Sequence, residues 1–171
     1  MDGIIATPMS QRPIIIAVIG GSNAAHKDLD AAYQVGLELA KRGAIVLCGG
    51  MAGVMEAVCK GAKEAGGTTV GIMPGNNVED ANDYIDIAIP TGLGYARNAI
   101  VAGSGRAIIA IDGAYGTLSE IGHGLGDGTP IVGLNTWRLI IDGKEDTTIE
   151  RANNPLDAVE KALAYAEARR V

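Results

Sequence analysis

Three short apolar runs in this chain each break off into a glycine-rich turn, and a segment with helical spacing follows each turn. Residues 14–19 end in Gly20-Gly21-Ser22-Asn23. Residues 45–48 end in Gly49-Gly50-Met51-Ala52-Gly53, and residues 106–111 in Asp112-Gly113-Ala114-Tyr115-Gly116-Thr117. Strands that are apolar on both faces belong in a parallel sheet covered by helices on either side. In such a sheet the carboxyl ends of the strands share one edge, and ligands bind there at the switch point of the strand order. The pattern therefore predicts an α/β doubly wound, open parallel sheet whose glycine turns converge.

The rest of the chain continues the alternation. Leu29, Ala32, Gly36 and Leu39 recur at helical spacing within 27–42, and Gly43 supplies a stop. Further helices are expected over 53–65, 94–103 and 117–125. A last one is capped by Asn154 with Pro155 at its first position, and turns Leu156, Val159, Leu163 and Ala166 inward. Additional strands are expected over 68–72, 84–88 and 130–134. The polar stretch 74–83 reads as a surface loop or lid, and 137–150 as an irregular crossing of the sheet edge. Residues 1–12 read as a flexible N-terminal tail ahead of one domain spanning 13–171.

Composition narrows the function classes. Phenylalanine is absent and glycine makes up 25 of 171 residues, about twice the usual share of roughly 7%. The core must then come from Ile, Val, Leu and Ala. A formal net charge of −6 argues against nucleic acid, which demands a basic surface. No apolar run approaches the roughly 20 residues of a membrane span, so no membrane partner is expected. Cys48 and Cys59 lack metal-ligand spacing, and His26 and His123 stand apart, so no metal site is expected. Buried, reduced thiols suit a cytoplasmic protein.

The third turn carries the most chemistry. Its backbone N–H groups and the helix that follows favour an anion, yet Glu120 sits about one turn into that helix. A carboxylate repels phosphate, so it either serves another part of a phosphorylated ligand or complements the helix dipole. Tyr115 either stacks on a heterocycle or fills the turn.

With these residues on the page, the chain resembles the Lonely-Guy superfamily, whose signature is Pro-Gly-Gly-x-Gly-Thr-x-x-Glu. Residues 112–120 match it except at the first and third places. Arg97-Asn98 stands where that family has Arg-Lys, and Gly49-Gly50-Met51-Ala52-Gly53-Val54-Met55 matches its other glycine loop. Gly-Val-Met-Glu-Ala at 53–57, Ala-Gly-Gly at 65–67 and Ala-Arg-Asn at 96–98 look like the molybdenum-cofactor carrier branch.

The resemblance implies a Rossmann-like, three-layer α/β/α fold and a small phosphorylated heterocyclic ligand. It implies Glu120 and Arg97 as the catalytic pair of a nucleoside 5′-monophosphate phosphoribohydrolase, or their retention in a carrier that binds without turnover. Gly113, Ala114, Gly116 and Thr117 are then phosphate ligands, with Asn98 beside them. Gly20, Gly21 and Ser22 contact ribose or base, and Gly49, Gly50 and Gly53 shape the second loop. No cofactor is required for catalysis on this reading, and a nucleotide or molybdopterin-type ligand is the expected occupant. The family also implies a homodimer or larger homo-oligomer.

Overall fold

The structure is a computed structural model in which residues 12–169 are described. Residues 1–11 of the expected tail lie outside the described residues. The elements run β1 (Ile15–Gly20), α1 (His26–Lys41), β2 (Ile45–Cys48), α2 (Val54–Glu64), β3 (Thr69–Met73) and β4 (Ile87–Pro90). A 3-10 turn over Gly94–Arg97 then leads into α3 (Asn98–Ser104), followed by β5 (Ala107–Ile111), α4 (Tyr115–Gly126) and β6 (Ile131–Leu134). The chain closes with β7 (Leu139–Ile141), β8 (Lys144–Asp146), β9 (Ile149–Arg151) and α5 (Pro155–Ala168).

Seven strands form one sheet in the order β4-β3-β2-β1-β5-β6-β9, and every neighbouring pair is parallel. The order reverses at β1, which lies between β2 and β5. The pleat explains why both faces of the central strands are apolar, because successive side chains point to opposite sides. Ile16 and Val18 of β1, with Ile109 and Ile111 of β5, pack under α1, α2 and α5. Ala17 and Ile19, with Ile108 and Ala110, pack under α3 and α4. This is the doubly wound, three-layer α/β/α arrangement.

Helices α1 and α2 approach closely through two glycines. A Cβ on Gly36 would lie 1.9 Å from the Val58 carbonyl oxygen, and one on Gly61 would lie 1.9 Å from that of Tyr33. On α5 the inward face is Ala158, Val159, Ala162 and Ala166, whereas Leu156 is 44% exposed. Small residues bring α5 close to the sheet, Leu163 packs half-buried at the margin of that core, and Leu156 alone of the expected inward residues turns outward.

Two segments differ from the sequence expectation. The fourth strand begins at Ile87 rather than at residue 84, because side chains hold the preceding residues in a turn. The Tyr84 N–H donates to Asn82 Oδ1 at 3.1 Å, and the Asp86 carboxylate accepts from the Thr69 N–H at 2.9 Å. The stretch 137–150 contains the β7–β8 hairpin and most of β9, which extends the sheet beside β6. Asp142 and Gly143 form the hairpin turn with φ of 51° and 75°. That geometry is the type I′ turn that Asp-Gly favours.

Candidate functional site

The carboxyl ends of β1, β2 and β3 meet the starts of α3 and α4 around a cavity of about 450 Å3. Gly20, Gly21 and Ser22 follow β1, Met51 and Met55 come from the β2–α2 connection, and Pro74 follows β3. Gly94, Tyr95, Arg97 and Asn98 enter from the 3-10 turn and the start of α3. Ala114, Gly116, Thr117 and Glu120 complete the lining from the turn after β5 and from α4.

Of the residues singled out from sequence, Gly20, Gly21, Ser22, Arg97, Asn98, Ala114, Gly116, Thr117 and Glu120 come together on this cavity. Gly49, Gly50, Gly53, Gly113 and Tyr115 stand behind or beside its lining. Gly49 backs Arg97, since a Cβ there would lie 2.5 Å from Nη2. Gly53 has φ +70° and lets α2 begin against the β1 turn, where the Val54 N–H donates to the Gly21 carbonyl at 3.0 Å. Tyr115 is 82% exposed and packs against Trp137 with ring centroids 6.1 Å apart.

Met51, Met55, Pro74, Gly94 and Tyr95 escaped sequence reasoning. Met51 precedes the Gly53 N-cap of α2 and Met55 lies on its first turn, so helical spacing does not relate the two and neither carried a signal. Pro74 and Tyr95 carried none that distinguishes a lining residue from loop surface. Met51, Met55, Pro74 and Tyr95 add an apolar wall to the cavity lining.

The buried face of α4 is Thr117, Glu120, Ile121 and Gly124, an i, i+3, i+4, i+7 stripe. Helical periodicity therefore carries Glu120 into the molecule, and only 8% of its side chain is exposed. Arg97 Nη1 reaches to 3.6 Å from Glu120 Oε1, and the Arg97 side chain is equally enclosed. Burial pushes the Glu120 carboxyl up to about 7, against the downward pull of the Arg97 guanidinium. Desolvation of a carboxylate thus outweighs one nearby cation that makes no direct hydrogen bond to it.

Arg97 is held from two sides. Its Nη1 donates to Asn98 Oδ1, and its Nη2 donates to the Gly49 carbonyl at 3.3 Å. Asn98 Nδ2 in turn donates to the Gly116 carbonyl at 3.4 Å, linking the guanidinium to the first turn of α4. The Arg97 Nε–H is buried and has no hydrogen-bond partner among the described residues. The N-cap residue of α4, Ala114, has no capping side chain, so donors of the first helical turn remain available to an anion. Ala114 has φ −105°, and alanine in the place of the signature's glycine costs no strain there. His123 lies on the exposed side of α4. Among the described residues no cluster of three metal-ligating side chains occurs.

The family model for the SLOG cluster4 family matches residues 13–164. The chain belongs to that family. It is 41% identical over 128 residues to an uncharacterized protein of Archaeoglobus fulgidus, covering 75% of this chain and 83% of that protein. It is 33% identical over 132 residues to the cytokinin riboside 5′-monophosphate phosphoribohydrolase of Mycobacterium tuberculosis, covering 71% of each. The solved molybdenum cofactor binding protein of Rippkaea orientalis superimposes with a TM-score of 0.82 at 36% identity, over 91% of this chain and 98% of that one. Among the described residues no helix is long and apolar enough to cross a membrane.

Proposed function

We propose that this member of the SLOG cluster4 family binds a nucleoside 5′-monophosphate and hydrolyses its N-glycosidic bond. The observation that carries the reading is the buried Arg97–Glu120 pair, set 3.6 Å apart on a cavity that also holds an uncapped helix N-terminus. The phosphate sits on the N–H groups of Gly116 and Thr117 and on the Thr117 hydroxyl. The heterocycle lies against the thioethers of Met51 and Met55. This places the ribose between them, near Glu120.

Cleavage breaks the bond between the anomeric carbon and the base nitrogen, and the bonding electrons leave with the base. Positive charge grows on the ribose, and the ionised Glu120 carboxylate stabilises it. Water then adds to the anomeric carbon and gives up a proton, while the departing nitrogen takes one. Arg97 keeps Glu120 oriented and binds ligand oxygens through the N–H donors that Asn98 and the Gly49 carbonyl leave free. The products are free base and ribose 5-phosphate. No metal or cofactor enters any step, and a reducing cytoplasmic setting suits the two buried thiols.

One observation favours a second reading, in which the site holds a phosphorylated pterin such as the molybdenum cofactor without turnover. Asn98 occupies the position of the lysine in the Arg-Lys pair of the Lonely-Guy superfamily and spends its amide on Arg97 and the Gly116 carbonyl. The likeness to the Rippkaea orientalis protein agrees with that reading. Chromatographic detection of free base from a panel of nucleoside 5′-monophosphates separates the two. Release by the native chain establishes the hydrolase, and tight binding without release establishes the carrier.

A second copy of the chain belongs to either reading. Leu93, Tyr95 and Ile100 are 52%, 84% and 40% exposed, and Tyr95 also borders the cavity. A twofold partner covering them closes the site on that side. Light scattering is expected to return the mass of two chains or a multiple of two. A strict monomer at micromolar concentration overturns this part of the reading.

A further inference from the structure

Cys48 and Cys59 are eleven residues apart in sequence, yet the fold sets their sulfurs 3.6 Å from each other in the core beneath the cavity. Cys48 ends β2 and Cys59 lies on the second turn of α2, so the pair spans the loop that carries Gly49, Gly50 and Gly53. The Gly50 N–H donates to Cys48 Sγ at 3.3 Å, and the Cys48 thiol points at the Met55 carbonyl at 3.8 Å. One residue on, the Gly49 carbonyl accepts from Arg97 Nη2. The two sulfurs are thus tied to the same glycine turn that holds the guanidinium.

We propose that Cys48 and Cys59 are an oxidisable dithiol, a modification site for peroxides, whose conversion to a disulfide alters the glycine turn that holds Arg97. Sulfurs already in van der Waals contact need approach by only about 1.5 Å more to reach bonding distance. Cys48 is the nucleophile. The Cys59 thiol donates to its sulfur and draws it below the ordinary thiol range, burial opposes this, and the Gly50 N–H assists. Burial and the same contact push the Cys59 thiol upward, which keeps its proton in place. The ionised form of Cys48 is the reactive one, and because both sulfurs are fully buried peroxide meets it only when the glycine turn opens locally.

The chemistry balances with one peroxide. The Cys48 thiolate attacks a peroxide oxygen, the O–O bond breaks, and the departing hydroxide takes a proton to become water, leaving Cys48 as a sulfenic acid. The Cys59 sulfur then attacks the Cys48 sulfur and expels hydroxide, which takes the Cys59 proton as a second water. Two thiols are oxidised by two electrons and hydrogen peroxide is reduced to two waters. In the product Cys48 has no S–H for the Met55 carbonyl, and its sulfur moves away from the Gly50 N–H.

The test uses the full chain and hydrogen peroxide alone. After treatment, unfolding and alkylation, both thiols are expected to be lost, with a mass decrease of about 2 Da and a peptide pair joined through Cys48 and Cys59. Dithiothreitol restores both. In the Cys59→Ala variant the reaction stops at a Cys48 sulfenic acid that dimedone traps, which shows the order of attack. Amide exchange at Gly50 in the oxidised chain is expected to quicken at least about tenfold, because the N–H has lost its acceptor. Two free thiols after treatment, or a bridge between two chains, overturns the dithiol. Unchanged exchange at Gly50 overturns its link to the turn. None of these readouts requires a bound nucleotide, so their outcome is independent of the hydrolase reading.

Discussion

Arg97 Nη1 stands 3.6 Å from Glu120 Oε1 with both side chains buried, and the carboxyl is nevertheless pushed up to about 7. An ion pair of this separation, lacking a direct hydrogen bond, does not offset the desolvation of the acid. The site therefore carries a group that changes charge in the physiological range, beside a cation anchored by Asn98 and the Gly49 carbonyl.

Glu120→Gln keeps the shape of the side chain and removes its charge. On the hydrolase reading, base release from a nucleoside 5′-monophosphate falls by about 100-fold or more. The dissociation constant, measured by calorimetry, stays within about threefold of the native value. Equal turnover by the variant removes Glu120 from the chemistry.

The same group sets a pH dependence of stability. Its ordinary value of 4.5 rises to about 7 in the fold, so the folded chain holds this proton more tightly than the unfolded chain. The contribution is fully present below about 4.5. It is lost as pH climbs to about 7 and is level above that, a decline on the order of 3 kcal/mol. Urea unfolding of the native chain and of Glu120→Gln across this window isolates the term, because other groups cancel in the difference. Parallel curves for the two proteins contradict it. If the ionised form performs catalysis, base release rises through the same midpoint.

Gly53→Ala tests the joint between two glycine loops. With φ at +70°, a Cβ on Gly53 would lie 2.4 Å from the Gly21 carbonyl oxygen and 2.6 Å from the Ser22 carbonyl carbon. The substitution is expected to cost more than about 2 kcal/mol and to weaken ligand binding by displacing Gly21 and Ser22. Gly43 has φ +73° with nothing within 4 Å of such a Cβ, so Gly43→Ala should cost only about 1 kcal/mol. Chemical denaturation of the two variants reads the difference directly.

Asp112→Pro restores the first residue of the family signature, and it is expected to damage this protein. Asp112 has φ +52° and its N–H donates to the Leu134 carbonyl at 3.3 Å. Proline is confined near −65° and has no N–H, so the loss should reach about 3 kcal/mol or more. Asp112→Asn, which tolerates the left-handed region, should stay within about 0.5 kcal/mol. A proline variant as stable as the native chain in urea would refute this account of the turn.

The legible part of the candidate site follows from local rules. Glycine turns after buried strands placed Gly20, Gly21, Ser22, Gly116 and Thr117 at one edge, and helical spacing carried Glu120 inward with Thr117 and Ile121. The apolar wall was less legible, because Pro74 and Tyr95 approach the site from loops whose paths depend on β3, β4 and the 3-10 turn. Asp142-Gly143 is a hairpin signal, but the charged run Lys144-Glu145-Asp146 that follows has no strand pattern, so the hairpin stayed hidden in the sequence. The pairing of β9 with β6 was hidden too, since a three-residue strand has too short a pattern to stand out.

By itself, the amino-acid sequence determined the alternation of strands and helices, the convergence of the glycine turns and the presence of an acid one turn into α4. Each of these depends on residues close together in the chain, where turn chemistry and side-chain period act directly. Tertiary structure alone decided that Arg97 is clamped between Gly49 and Asn98, that Glu120 titrates near 7, and that Cys48 meets Cys59. Those properties depend on distances and desolvation among segments separated by up to 48 residues, and no local pattern encodes how far a packed core removes a charge from water.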